Sequence, residues 1–156
     1  SPKGTVPVLV FPNNPIIDES LDIVNFACDK EPHLKATDPD QYLQWLNELN
    51  DAFRPASHRI KYPERFNNID IQAEHSRCQQ YCQTLNYALQ SQPYLHGDAL
   101  GQADCVIFPF IRQLHRVNEN ILPNYNVPML IQWLHRITES SLFLNVMEKH
   151  PTWKSP

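Results

Sequence analysis

Glycine is almost absent from this chain: three in 156 residues, at positions 4, 97 and 101. A phosphate-cradling loop needs glycines gathered just after a strand, so that class of nucleotide site is excluded. No Gly-x-Ser-x-Gly segment exists, which removes the strand–turn–helix elbow of a serine hydrolase. Cysteine is sparse as well. Cys28, Cys78, Cys82 and Cys105 are too few to form a disulfide scaffold in a chain this long. All four fall in helical apolar patterns, so buried free thiols and a reducing, cytoplasmic setting are expected. Net charge is only -4, and the cations are scattered among acids. That argues against a nucleic-acid partner, which needs a clustered basic face. No apolar run approaches the ~20 residues of a membrane-spanning helix. Nothing at Ser1-Pro2-Lys3-Gly4 resembles a signal peptide. The size suits one compact domain, or one domain plus part of another.

Proline, by contrast, is plentiful and placed with meaning. Residues 5–11 alternate as a strand, Val6, Val8 and Val10 against Leu9 and Phe11, with Pro7 in its interior. A proline there donates nothing to a ladder, which leaves one strand side open to something other than a neighbouring strand. Pro12-Asn13-Asn14-Pro15 is turn chemistry, and Ile16-Ile17 is a short return, so a β-hairpin is expected. From Ser20 the period becomes helical, Leu21, Val24 and Cys28 sharing one face. A serine opening a helix suits a carboxylate ligand, because first-turn N–H groups and the helix dipole favour an anion there.

Asp29 to Asp38 reads as a linker, and the rest of the chain is helical. Asp38-Pro39 starts a helix with Tyr42, Leu46, Leu49 and Phe53 on one face, and Pro55 is expected to interrupt it. A second long helix carries Ile71, His75, Cys78, Cys82, Leu85 and Leu89. Its histidine and cysteines share a face that continues into leucines, and no fourth ligand accompanies them. Core packing is therefore expected and a metal site is not. Further helices run from about Ala103 to Val117, from Asn126-Pro128, and from Ser140 or Ser141.

The order of these elements resembles the cytosolic glutathione transferase superfamily, which joins a thioredoxin-like domain to a helical one. Lys3-Gly4-Thr5-Val6-Pro7-Val8-Leu9 with Ile17-Asp18-Glu19-Ser20-Leu21 looks like the second half of the first domain. Leu95-His96-Gly97-Asp98, continuing through Gly101 and Asp104 to Phe108-Pro109-Phe110, looks like the entry to the buried central helix of the second. The resemblance implies a mostly α fold. An incomplete thioredoxin-like segment (β-hairpin plus helix, residues 1–31) would precede an all-helical bundle (residues 32–156).

The resemblance further implies a cis Val6–Pro7 bond, which frees the Val6 main chain to pair with glutathione as an added strand. Glu19 and Ser20 would hold its γ-glutamyl end. Phe53, Tyr62, Phe108, Arg112 and Trp153 are candidate walls of a second-substrate pocket. Gly101 stands where relatives have Ser or Thr as the cap of the central helix, so only the Asp104 half of a capping box remains, and Pro109 is expected to kink that helix. A hairpin and one helix cannot cover both faces of a sheet. More chain is expected before Ser1, bearing the catalytic Tyr, Ser or Cys, with the likeness nearest to bacterial members of thiol-exchange type. Glutathione as co-substrate, an electrophile or disulfide as second substrate, no metal, and a homodimer complete the expectation. The rival reading is a non-catalytic protein of the same fold acting as an interaction module.

Overall fold

The computed structural model describes residues 4–12 and 16–152. Leu9 and Ile17 pair as an antiparallel bridge, Leu9 N donating to Ile17 O at 2.8 Å and Ile17 N to Leu9 O at 3.0 Å. The expected hairpin thus amounts to one bridge, and its Asn13, Asn14 and Pro15 turn lies outside the described residues. Helix α1 (Ser20–Lys30) comes next, with Asp22 in its first turn and Lys30 in its last, charges that suit the helix dipole. Phe11 lies against Phe26, ring centres 5.1 Å apart.

Helix α2 (Pro39–Glu48) begins as its sequence dictates. Asp38 accepts from Gln41 N at 3.0 Å, and Pro39 takes the first-turn position where no N–H is needed. Pro55 does not break the helical path. A widened π turn at Leu49–Phe53 carries the chain into α3 (Arg54–Lys61), with Arg54 N–H reaching Leu49 O five residues back. The wider turn absorbs the proline because Pro55 then sits in the first turn of α3, needing no donor. The segment expected as a linker is short: α1 runs to Lys30 and one 3₁₀ turn, Pro32–Leu34, precedes Asp38.

Helix α4 (Ile71–Ala88) is capped by Asp70, whose carboxylate accepts from Ala73 N at 3.1 Å. It packs on α3 and buries Cys78, Tyr81, Cys82 and Leu85. Helix α5 (Gln102–Val117) is the central element, burying Ala103, Asp104, Ile107, Phe108, Ile111 and Leu114. The helix continues through Pro109. A short α6 (Ile121–Asn124), absent from the sequence reading, leads to α7 (Pro128–Thr138). The start of α7 is capped from another helix: Asn86 Oδ1 accepts from Met129 N at 2.8 Å and Leu130 N at 3.2 Å. Ser140 caps the last helix, α8 (Ser141–Val146), by accepting from Phe143 N at 3.2 Å.

One apolar core joins α2 through α7, with Trp133, Tyr81 and Phe53 its largest fully buried side chains. Phe53 is 0% exposed and lies 5.0 Å from the Tyr81 ring, so it is a core residue and not a pocket wall, contrary to the expectation. Its face of α2–α3 was legible; its depth was not. No helix among the described residues is long and apolar enough to cross a membrane.

Candidate functional site

The site begins at the N-terminal edge. Val6 is 91% exposed and the Val6–Pro7 peptide is cis. Val6 stands three positions before Leu9, and Ser20 three positions after Ile17. The Leu9–Ile17 bridge brings the segment that carries Val6 alongside the one that leads into Ser20. Glu19 is extended in the cap position of α1, and its side chain does not cap the helix. Ser20 is the first helical residue, exposed, and its hydroxyl makes no hydrogen bond among the described residues. Both residues line a cleft of about 470 Å³ whose far wall comes from Asn50, Arg54, Pro109 and Phe110. Arg54 is held in place by its Nη1 donating to Asn50 Oδ1 at 2.7 Å and by the Phe110 ring 5.0 Å from its Cζ. The arrangement is a helix N-terminus with an unused hydroxyl facing a cleft lined by one cation, Arg54, and two acids, Glu19 and Asp22; its first-turn N–H groups and hydroxyl suit a carboxylate, and the acids suit an ammonium.

The five expected second-substrate residues do not converge. Tyr62 and Arg112 line a second cleft of about 540 Å³ between α3 and α5, together with Lys61 and Arg116. Phe108 and Arg112 border an apolar groove of about 350 Å³ between α5 and α8. Phe108 is almost covered, its ring edge-on to Trp133 and Phe143. Arg112 lies over the Phe143 ring at 5.0 Å. Trp153 lies outside the described residues. Arg54, Lys61 and Arg116 were missed by the sequence reading. Arg54, His58 and Lys61 recur on one helical face of an acid-free segment, a signal that could have found two of the three.

The central helix is anchored by Asp104. Its carboxylate, 0% exposed, accepts from Leu95 N (2.8 Å), Trp133 Nε1 (2.7 Å), His96 N (3.1 Å) and Gly101 N (3.1 Å). Glycine at the cap supplies no side-chain acceptor, and the reason is steric. A Cβ at Gly101 would stand 2.3 Å from His96 Cγ, so the imidazole occupies the volume a cap side chain would need.

The thiols correct one expectation. Cys28, Cys78 and Cys82 are buried, but Cys105 is exposed on the first turn of α5. Even so, desolvation pushes the Cys105 thiol up to about 11, with the neighbouring Asp104 carboxylate adding to it. Burial pushes Cys78 up to about 12 and Cys82 well above its ordinary value. All are protonated, poor nucleophiles at neutral pH. His75, on the same helix face as Cys78 and Cys82, has its Nδ1 2.7 Å from the Tyr125 hydroxyl. Among the described residues, no group of three or more His, Cys, Asp or Glu is placed to hold a metal ion.

Comparison with known proteins agrees with this architecture. The profile of the family described as "Glutathione S-transferase, C-terminal domain" matches residues 44–141. The chain belongs to the glutathione transferase superfamily. Glutathione S-transferase GstA of Escherichia coli O157:H7 is 27% identical over 131 residues, covering 78% of this chain and 63% of the relative. The chain therefore spans less than two thirds of that relative's length. A glutathione transferase family member from Pseudomonas fluorescens pf-5, solved with two glutathione bound, superposes with a TM-score of 0.74. It shares 19% identity, with 93% of this chain and 71% of that one covered. A Pseudomonas putida glutathione transferase holding one glutathione disulfide per subunit gives 0.74 at 19% identity, covering 92% and 69%. BphK, a bacterial GST in a ternary complex, gives 0.71 at 22%, covering 94% and 74%. At these identities the structural likeness speaks for the fold: a mostly helical glutathione transferase architecture without much of the thioredoxin-like domain.

Proposed function

We propose that the protein binds glutathione at the cleft headed by Ser20 and takes part in glutathione-dependent transfer or thiol–disulfide chemistry. The observation that carries this reading is the unused Ser20 hydroxyl at the start of α1, opening on the cleft, with Val6 exposed beside the cis Val6–Pro7 peptide on the segment that leads into it. In it, residues 1–31 are the glutathione-binding half-domain and residues 32–156 the helical domain. The Val6 main chain, beside Pro7, pairs with the cysteinyl unit. Ser20 and the α1 N-terminus hold the γ-glutamyl carboxylate, and Glu19 faces the ammonium. The glutathione and glutathione disulfide bound by the two Pseudomonas relatives support the choice of ligand.

The chemistry is attack of a glutathione thiolate on an electrophilic carbon or on a disulfide sulfur. The enzyme's share is to fix the thiol and lower its pKa. None of the chain's own thiols suits that task, being buried or held protonated. As the resemblance to the superfamily implies, thiol activation is assigned to a Tyr, Ser or Cys outside this sequence. A bacterial, cytoplasmic homodimer without a resident metal belongs to the same proposal.

Calorimetric titration of glutathione into the full-length protein tests it. Binding is expected, with Ser20→Ala losing about 1–2 kcal/mol of affinity, the scale of one charge-assisted hydrogen bond. Absence of binding, or binding indifferent to Ser20→Ala, favours the non-catalytic interaction module instead.

A further inference from the structure

The second cleft has a charge that the chain as a whole does not. The protein carries net charge -4, yet α3 contains no acidic residue and α5 contains only the buried Asp104. Between these helices, Lys61, Arg112 and Arg116 line one cleft of about 540 Å³ with no carboxylate on its wall. Neighbouring cations are treated differently. Arg59 and Arg77 flank Glu74 at 3.5 and 2.7 Å, and Arg65 lies 3.7 Å from Glu64. Lys61, Arg112 and Arg116 have no ion-pair partner among the described residues. Two of them are positioned by aromatic faces: Lys61 Nζ is 4.9 Å from the Tyr62 ring centre and Arg112 Cζ is 5.0 Å from that of Phe143.

Gathering like charges in one concavity is unfavourable unless an anion shares it, and Lys61 and Arg112, half-buried, are screened less than the exposed Arg116. Aromatic contacts orient such heads without neutralising them. Three cations call for more than one negative charge. The rest of the wall is Tyr62, Pro109 and Val117, which are flat or apolar and suit an organic body, and the amide of Gln113.

We propose that the cleft between α3 and α5 binds flat organic polycarboxylates and so sets the class of the second substrate. The statement about substrate rests on the glutathione reading, whereas the binding does not. Pro109 lines both this cleft and the one headed by Ser20, so the two ligands would lie on either side of one ring.

Isophthalate, an aromatic dianion, and isophthalamide, its neutral counterpart, are titrated into the full chain by calorimetry. Isophthalate is expected to bind, isophthalamide at least tenfold more weakly. Arg112→Gln and Arg116→Gln are each expected to weaken isophthalate by about tenfold, the usual scale for losing one charge-assisted bond. Arg116 is exposed, so its replacement leaves the fold intact. Arg136→Gln, which removes a cation on α7 bonded to the Pro93 carbonyl, is expected to change nothing. Equal binding of the two compounds, no binding of either, or an equal loss in Arg136→Gln overturns the proposal. Glutathione titrated into the same variants separates the two readings. If Ser20→Ala leaves glutathione affinity unchanged while Arg116→Gln abolishes isophthalate binding, the glutathione reading fails and the polycarboxylate site stands.

Discussion

The helical body and the N-terminal segment are held by different means, and the contrast explains what each is for. From α2 to α7 the chain shares one core, and its deepest polar group, Asp104, answers to donors from four residues. Residues 4–30 lean on that body through the packing of α1 against α5, the burial of Cys28, the bond from Gln102 Nε2 to Asn25 Oδ1 at 3.0 Å and the Asp29–Lys35 pair at 2.7 Å, while Val6, Val10 and Ile16 remain exposed. Buried, fully satisfied polar groups make a rigid scaffold, while main-chain groups left exposed are what an extended ligand needs. The body holds, and the edge receives.

The sharpest way to break that contrast is Asp104→Ala. It strands three buried donors and the half-buried His96 N, at about 1 kcal/mol or more for each buried one, so a loss of about 3–4 kcal/mol is expected in denaturant unfolding. A loss under about 1 kcal/mol would show that the donors find water instead. Next comes Gly101→Ala, expected to cost about 2 kcal/mol by driving a methyl into the His96 ring. Combining it with His96→Ala should recover most of that, and an additive double mutant would refute the clash. Gln102→Ala is smaller, about 1 kcal/mol for each bond lost, and its effect should fall on α1 and on Ala36, whose N–H donates to Gln102 Oε1 at 3.0 Å. Hydrogen exchange is expected to quicken in α1 and not in α4.

Alkaline pH leaves the body untouched until the thiols titrate. Folding raises the pKa of Cys78 from 9.0 to about 12, so its contribution to stability is complete below pH 9. It fades as pH climbs from 9 towards 12, because the unfolded chain ionises first. Thermal midpoints should be flat up to pH 9 and fall above it; a flat curve to pH 12 would contradict the burial of these thiols.

Much of this body was legible in its periodicity. The stripe of α4, the extent of α5 and the starts of α7 and of α2 at Asp38-Pro39 arise from local rules that tertiary packing did not overturn. Pro55 was misread because a π turn is invisible to a 3.6-residue pattern. The capping of α7 by Asn86 was out of reach, since the partners lie 43 and 44 residues apart. At the site, Glu19 and Ser20 stood out because a proline-bearing strand preceded them. Lys61 and Arg116 did not, because charges scattered in sequence reveal a shared concavity only after two helices are brought together. Phe53 fell on the predicted stripe, but periodicity gives a face and not a depth.

The His96 ring seated over Gly101 also bears on how this loop can diverge. Serine cannot arrive at position 101 while an imidazole fills its space, and a smaller residue at 96 leaves a void until something bulkier than hydrogen appears opposite. Each substitution is harmful alone and tolerable together, so descendants of this sequence should exchange the two residues as a linked pair.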